Sequence, residues 1–262
     1  MTELVLLFLG GLIAGALGGL LGIGGGIILM PLLRFIVGLS PSHSAGTCIL
    51  AVFFTTLGGS YRHYKLGHVK LRPLFPLIIS GAVATAIFSF VFQCLSAHES
   101  WLDLGIGLVF SLISVRMILE GIPGLFMKKD GELAGNEIKG TLTQKVSVGS
   151  IAGILPGLLG IGTGVILVPT FTFILGTSIK IAVASSLTCF CFNAFISSAF
   201  KIMQGFIELN IALPICAGTL LGANLGAIMN KRFPPNTLKL IFGLLFSYVS
   251  LKFILSFYGV KI

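Results

Sequence analysis

Ten apolar stretches, separated by short polar connections, occupy most of this chain of 262 residues. Hydrophobic residues make up 55% of the sequence and charged residues only 10%, whereas a typical soluble domain carries about 25% charged residues. A soluble core cannot bury this much apolar surface, so we expect the surrounding solvent to be lipid. The stretches lie at 4–21, 27–37, 44–61, 74–92, 101–119, 146–159, 165–175, 181–200, 209–229 and 237–258.

The pattern within these stretches predicts an all-α fold. Backbone N–H and C=O groups must be satisfied internally in a bilayer, so a spanning segment is either a helix or a strand of a closed barrel. The stretches lack the alternation of polar and apolar residues that barrel strands show. We therefore expect a polytopic membrane protein with short loops.

One polar segment divides the chain almost in half. Residues 120–145 carry several lysines and carboxylates, and we interpret them as a linker. The linker separates a first transmembrane repeat at 1–119 from a second at 146–262. Each predicted repeat contains a glycine-broken pair of short helices followed by three transmembrane helices.

The repeat is most visible in a glycine-rich element. Residues 14–31 align with residues 152–169 at an offset of 138, and 13 of the 18 positions are identical. The shared positions include five glycines and a proline, which chance similarity between apolar segments does not produce.

Two topologies are compatible with this repeat. The pieces 27–37 and 165–175 are too short to cross a bilayer at about 1.5 Å per residue. If each glycine-broken pair is a re-entrant hairpin, the second repeat is inverted relative to the first; if each pair is one broken spanning helix, the repeats are parallel. Inversion places Lys180, Lys231 and Arg232 on the same side as the basic loop after 44–61, whereas the parallel arrangement places Lys201, Lys252 and Lys261 there. We favour inversion, because positive residues collect on the cytoplasmic side and Lys231-Arg232 is the tightest cluster.

The two glycine breaks are the main candidates for a substrate site. Glycines in membrane helices permit close packing, and they also let a helix unwind so that backbone N–H groups and a positive helix end become available to an anion. Three closely spaced glycines before a short helix favour the second use, as in transporters with discontinuous helices. The candidate residues are Gly22, Gly24, Gly25 and Gly26 in the first break and Gly160, Gly162, Thr163 and Gly164 in the second.

Polar side chains inside the apolar helices add further candidates. Hydroxyl and amide groups can donate hydrogen bonds to an oxyanion, and we assign this role to Thr47, Ser185, Ser186 and Asn193. The alternative is a structural role, because Ser and Thr often bond to a carbonyl one turn earlier or to a neighbouring helix. We expect Lys201 to extend to the membrane surface and the four histidines to be solvated, and Arg34 either to attract an anion or to extend to the surface.

Enzyme and cofactor signatures are absent from the sequence. It contains no H-E-x-x-H, no G-x-S-x-G and no Walker lysine, so we expect no catalytic activity. None of the five cysteines forms a C-x-x-C pair, so we expect no metal or redox cofactor. The net charge of +9 has no accompanying nucleic-acid motif, and we expect the lipid bilayer rather than nucleic acid as the partner.

The doubled Gly-Leu-Leu-Gly-Ile-Gly element with its proline, at 19–31 and 157–169, resembles the TauE/SafE sulfite exporter family, also called the toluene sulfonate uptake permeases. The small-hydroxyl pairs at 46–47 and 184–185 share this resemblance, which covers essentially the whole chain. It implies a multi-pass transporter of the bacterial inner membrane that moves sulfite, organosulfonates or related anions, with a coupling proton. Thr163 departs from the family pattern, because it replaces the middle glycine of the second copy. The alternatives are an anion channel and a non-transporting intramembrane enzyme or accessory subunit; the sequence does not determine the oligomeric state.

Overall fold

The computed structural model describes residues 2–122, 138, 140–229 and 235–258, and within these ranges it contains helices and no strand. The predicted all-α class is therefore confirmed. The helices are α1 Thr2–Leu21, α2 Gly26–Pro31, α3 Pro41–Lys65, α4 Leu71–Leu95, α5 Glu99–Gly121, α6 Leu142–Leu159, α7 Gly164–Pro169, α8 Ile179–Met203, α9 Leu209–Met229 and α10 Pro235–Phe257.

Seven of the described helices are long and apolar enough to cross a bilayer: α1, α3, α4, α5, α6, α8 and α9. The chain is thus a multi-pass integral membrane protein. The helix α6 begins at Leu142, four residues before the apolar stretch that predicted it. The reason is a capping box, in which the Thr141 hydroxyl accepts a hydrogen bond from the Gln144 N–H and the Gln144 side chain accepts one from the Thr141 N–H.

Each short helix continues into a wider turn after a proline. Pro31 and Pro169 are the last residues of α2 and α7, and π-helical turns follow them at Leu32–Ile36 and Thr170–Ile174. Proline has no N–H to donate to the preceding turn, and a π-helical turn is one way in which a helix accommodates the missing bond. Each short helix with its π turn therefore spans only about half of a bilayer.

The chain turns back on itself between α1 and α2. A Cβ atom on Gly10 would lie 2.8 Å from Cδ1 of Leu32, and Gly18 packs directly on the backbone of Gly25. Early residues of α1 thus contact the end of the returning segment, and late residues contact its start. This is the arrangement of a re-entrant hairpin, in which both ends lie on the same side of the membrane.

Corresponding helices of the two predicted repeats run in opposite directions. In the pair α3 and α8, Ser60 hydrogen-bonds Thr188 at 3.0 Å, while Gly46 packs on the carbonyl of Phe206, just beyond the end of α8. In the pair α5 and α10, the hydroxyl of Ser114 donates to the Gly243 carbonyl and that of Ser250 to the Gly107 carbonyl. Both pairs are antiparallel, which the inverted arrangement requires and the parallel arrangement forbids.

The helices α1 and α9 pack closely and in parallel through glycine. Gly11, Gly15 and Gly19 of α1 lie against the backbone of Ile215, Thr219 and Ala223 of α9. The same packing joins α6 to α4, where Thr85 donates to the Gly153 carbonyl at 3.1 Å. Small residues let two backbones approach closely in lipid, where van der Waals contact rather than water exclusion drives helix association.

The two ends of the bundle can be told apart by the charged residues that lie there. Arg62, at the end of α3, and Lys180, at the start of α8, line one cavity and therefore lie on the same side. Glu99, at the start of α5, and Glu208, before α9, lie at the opposite end, where Ser42 and His43 contact them. Residues 123–137 of the linker, the Lys231-Arg232 cluster and Lys261 lie outside the described residues. The division into repeats at 1–119 and 146–262 stays a prediction.

We expect the equivalent ends of α3 and α8 to face opposite sides of the membrane. Lys65 and Met203 occupy matching positions at the offset of 138, and both are exposed. In spheroplasts, a membrane-impermeant maleimide is expected to label Met203→Cys directly, but Lys65→Cys and Ile179→Cys only after permeabilisation. The parent for these variants has its native cysteines replaced by serine.

Labelling of Lys65→Cys and Met203→Cys from the same side would contradict the inverted arrangement. Each variant is also labelled under denaturing conditions, which shows that it is present in the membrane in equal amount.

Candidate functional site: the paired glycine breaks

The first break depends on a left-handed backbone. Gly22, Gly24 and Gly25 have φ angles of 74°, 77° and 73°, a region that costs a residue with a side chain roughly 1–2 kcal/mol. The N–H groups of Ile28 and Leu29 both donate to the Gly25 carbonyl, which starts α2. The N–H groups of Gly26 and Ile27 have no acceptor within the helix, and no side chain caps this end. A buried helix end thus points into the centre of the protein.

The second break has a different backbone conformation at its fourth position, residue 163. Thr163 occupies the site of the middle glycine, and its φ of −93° is an ordinary value for a residue with a side chain. The left-handed residue here is Gly160, at φ 67°, which ends α6. Threonine is therefore tolerated at 163 because the second break, unlike the first at Gly25, does not need a positive φ at that position.

The two breaks lie directly against each other. A Cβ atom on Gly164 would overlap the carbonyl oxygen of Gly22, and one on Gly26 would lie 3.0 Å from the backbone nitrogen of Gly162. Gly162 in turn packs on the carbonyl of Ile23. The structure thus brings the two predicted breaks together, and α2 and α7 begin on either side of their contact.

Phe190 of α8 joins the two breaks, and sequence reasoning missed it. A Cβ on Gly24 would lie 2.6 Å from the Phe190 ring carbon Cε1, and one on Gly162 would lie 3.2 Å from the same carbon. The ring is fully buried. No sequence signal separates it from the other phenylalanines of the chain, except its position one turn after Ser186, which was a candidate.

Thr163 is the polar side chain whose placement is most informative. It precedes the first residue of α7, where a threonine hydroxyl commonly caps the helix, yet it makes no capping hydrogen bond. Its hydroxyl is buried and has no hydrogen-bond partner among the described residues. A buried hydroxyl without a partner costs free energy of the order of 1–3 kcal/mol, so this group is available to a ligand at the break.

The candidates of α8 fall into two groups. The Ser186 hydroxyl donates to the Gly22 carbonyl at 3.2 Å, which holds it at the first break. Ser185 is buried without a partner for its hydroxyl, and so is the side-chain oxygen of Asn193. Asn193 faces Gly81 of α4, where a Cβ would lie 2.9 Å from its amide atoms. It therefore lies at the α4–α8 contact, one turn beyond Phe190.

The threonines of α3 have structural partners. The Thr47 hydroxyl accepts a hydrogen bond from the backbone N–H of Glu208 at 3.1 Å, and this bond joins α3 to the start of α9. Thr55 and Thr56 donate to the carbonyls of Ala51 and Val52 one turn earlier. The structure does not bring the Thr47 hydroxyl to the breaks, because the bond to Glu208 holds it towards the opposite end of α3 from Arg62. A substrate role for any of the candidate residues stays a prediction.

The expectation that Lys201 extends to the surface is wrong. Lys201 is fully buried, and its ammonium group donates to the Gly157 carbonyl at 2.9 Å and lies 3.9 Å from the ring centre of Phe92. Gly157 is in the last turn of α6, where carbonyls lack partners within the helix and a cation is favoured. Lys201 and the adjacent Ser197, which donates to the Pro156 carbonyl, therefore hold the end of α6 beside the second break.

Arg34 is neither free nor at the surface. Its guanidinium binds the carboxylate of Asp103 through two hydrogen bonds of 3.1 and 2.7 Å, and Ser256 of α10 donates to the same carboxylate. The first hairpin is thereby tied to α5 and α10.

The prediction that His63 is solvated is also wrong, because its side chain is only 2% exposed. In the described ranges, no group of three His, Cys, Asp or Glu side chains could hold a metal ion.

Antiparallel counterpart helices with paired breaks at their centre are typical of membrane transporters with inverted repeats. A family model described as "Sulfite exporter TauE/SafE" matches residues 7–253. The chain therefore belongs to the TauE/SafE sulfite exporter family, and its relatives are described as transporters rather than enzymes.

Similar proteins support this assignment. The chain is 26% identical over 257 residues to "Probable membrane transporter protein YunE" of Bacillus subtilis, covering 91% of this chain and 93% of that protein. It is 28% identical over 286 residues to a "Probable membrane transporter protein" of Haemophilus influenzae, covering 97% and 99% of the two chains. No solved structure matches the chain significantly.

Because the backbone differs between the two breaks, we predict that substitutions at the matching positions Gly25 and Thr163 have unequal effects on stability. Gly25→Thr places a branched side chain at a φ of 73°, where its Cβ would also lie 2.7 Å from the Ala14 carbonyl oxygen. We expect its melting temperature in detergent to fall by roughly 5 °C or more, since left-handed strain and crowding each cost about 1–3 kcal/mol. Thr163→Gly is the matched control and is expected to shift the melting temperature by less than half as much.

An equal loss of stability in the two variants would contradict the backbone difference between the breaks.

Proposed function

We propose that this protein is a secondary transporter that exports small anions, with sulfite, organosulfonates and related sulfur-containing anions as the substrates, by alternating access around the paired glycine breaks. The family supplies the class, a membrane transporter. Substrate, direction and mechanism are our proposal, as is a location in the bacterial inner membrane.

The observation that carries the proposal is the unpartnered hydroxyl of Thr163. Thr163 directly precedes α7, its neighbours Gly162 and Gly164 pack on the first break, and neither α2 nor α7 has a side-chain cap at its start. Helix N-termini present N–H donors and a partial positive charge, which together favour an anion. An oxyanion at the breaks would accept hydrogen bonds from this hydroxyl and from the free N–H groups of Gly26 and Gly164.

The distribution of negative charge is consistent with an anionic substrate. Of the described carboxylates, Glu3 and Glu99 lie in the first turns of α1 and α5, Asp103 lies in the second turn of α5, and Glu208 directly precedes α9. Asp103 is neutralised by Arg34, and Glu208 lies near His43. No described carboxylate is therefore placed to repel an anion from the breaks.

Alternating access follows from the burial of the breaks. Residues 22–27 and 159–164 are all buried, which supports a proposed site that is closed to both sides in this conformation. An anion can reach it only when one hairpin moves relative to α3 and α8. The first hairpin is tied to α5 and α10 through Arg34 and Asp103, whereas the second is held by Lys201 and Ser197 of α8. Different partners let the hairpins move separately, as alternating access requires, and this closed contact favours a carrier over an anion channel.

A coupling proton is part of the proposal. The only described carboxylates that we can place lie towards one end of the bundle, so a carboxylate relay through the breaks is not available among them. Among the described residues, a buried histidine such as His63 is one candidate carrier.

Flux measurements test the substrate and the mechanism. We expect purified protein in proteoliposomes to move radiolabelled sulfite in a saturable way, with counterflow of unlabelled sulfite from the opposite side. Thr163→Val keeps the shape of the side chain but removes the hydroxyl. We expect it to lower kcat/KM for sulfite by about tenfold, the equivalent of one lost hydrogen bond to a charged group.

Thr163→Ser is the matched control, because it retains the hydroxyl, and its flux is expected to stay within about threefold of that of the unmodified protein. Absence of saturable flux for sulfite, sulfonates, sulfate and chloride would refute the transporter proposal. Equal flux in the Val and Ser variants would remove the Thr163 hydroxyl from the mechanism.

A further inference from the structure

A basic cavity opens at the end of the bundle where α3 ends and α8 begins. It has a volume of about 340 Å³ and is lined by Arg62, His63, Leu66, His68, Lys180, Ala227 and Ile228. Four of these seven side chains carry basic groups, contributed by α3, the loop after it and α8. We refer to this cavity as the basic vestibule.

Two nitrogen atoms of the vestibule are buried and have no hydrogen-bond partner among the residues that the structure describes. They are Nε of Arg62 and Nε2 of His63, and His63 is 2% exposed. An arginine Nε–H is always a donor, and leaving it unpaired away from water costs of the order of 1–3 kcal/mol. Among the described residues, neither Arg62 nor Lys180 forms an ion pair with a carboxylate. Among the described residues, the vestibule therefore concentrates hydrogen-bond donors and positive charge without matching acceptors or carboxylates.

The hydrogen bond between His63 and His68 determines whether Nε2 of His63 carries a proton. The Nδ1 atoms of His63 and His68 lie 3.4 Å apart and share a hydrogen bond, so one of them donates and the other accepts. If His63 accepts through Nδ1, its proton must be on Nε2, because a neutral imidazole carries one N–H. His63 then adds a second buried donor beside that of Arg62.

The vestibule lies close to the first break. Val183 of α8 contacts Gly22, and Lys180 is one helical turn before it, a rise of about 4.5 Å. On the other wall, α3 contacts Gly24 through Thr56, and Arg62 lies further along the same helix. Leu66, Ala227 and Ile228 complete the lining with apolar side chains, of which Leu66 and Ile228 are exposed.

We infer that the basic vestibule is a second binding site, specific for an oxyanion group, in which the unpartnered nitrogens of Arg62 and His63 donate hydrogen bonds and Lys180 supplies charge. The binding does not depend on the proposed function. The role of the site in transport does rest on the proposed function. A site one turn from the first break would be where the transported anion docks at the end of the bundle that carries Arg62 and Lys180. An oxyanion group belongs to sulfite or phosphate and equally to the phosphate of a lipid headgroup, and the experiment separates these sources.

The test is equilibrium binding of sulfite and of inorganic phosphate to the purified protein in detergent, at constant ionic strength maintained with chloride. We expect Arg62→Gln with Lys180→Gln to weaken binding by about tenfold or more, as expected for the loss of charge-assisted hydrogen bonds. The matched control is Lys65→Gln with Arg72→Gln, which removes the same charge from exposed side chains at the same end. We expect the control to change the affinity by less than about twofold, because exposed charges are screened.

Two further variants and one competition experiment complete the test. His63→Phe keeps a ring but removes Nε2, and it is expected to weaken binding while the melting temperature of the unbound protein is retained. Thr163→Val is expected to retain vestibule binding, so failure of transport and failure of this site can be told apart. Competition by short-chain phosphatidylglycerol but not by free phosphate would assign the oxyanion group to lipid. Equal weakening in the double variant and its control, or no binding of any of these anions, would overturn the proposal.

Discussion

The close contact between two glycine loops is the constraint on which the rest of the structure depends. Gly164 packs on the Gly22 carbonyl, and a Cβ atom at this contact would push the loops apart. Because each loop interrupts a helix inside the membrane, each one leaves N–H groups that water cannot satisfy. The neighbouring helices must therefore supply partners or leave room for a ligand. The Ser186 hydroxyl satisfies the Gly22 carbonyl rather than an N–H group, and the unpartnered Thr163 hydroxyl is available to a ligand.

Polar side chains on the surrounding helices hold the two hairpins in place. Lys201 bonds the last turn of α6, and Arg34 joins the returning segment of the first hairpin to Asp103. A buried lysine and a partly buried ion pair are costly unless their hydrogen bonds are made, and here carbonyl, hydroxyl and carboxylate groups make them. The two hairpins use different residues for this purpose. The hairpins thus have different polar anchors, and both also contact Phe190 of α8.

The sequence predicted the helices and the breaks well, because apolar length and repeated glycine are local signals. It left the direction of the second repeat open, since charge counts nearly balance when Lys231 and Lys252 are weighed equally; contacts such as Ser60 with Thr188 supply that direction. The prediction for Lys201 was wrong because its position near a helix end suggested a route to the surface, while its partner is a carbonyl 44 residues earlier in the chain. Phe190 could not be found, as only tertiary contact distinguishes it.

The most direct test of the central claim, that the paired breaks bind the anion, is anomalous diffraction from crystals grown with selenite, a pyramidal oxyanion that resembles sulfite and contains a strong scatterer. The account predicts a selenium peak between the two breaks, with an oxyanion oxygen within hydrogen-bond distance of the Thr163 hydroxyl and of the N–H groups at the starts of α2 and α7. A well-occupied peak confined to other parts of the protein, with none at the breaks, would contradict it.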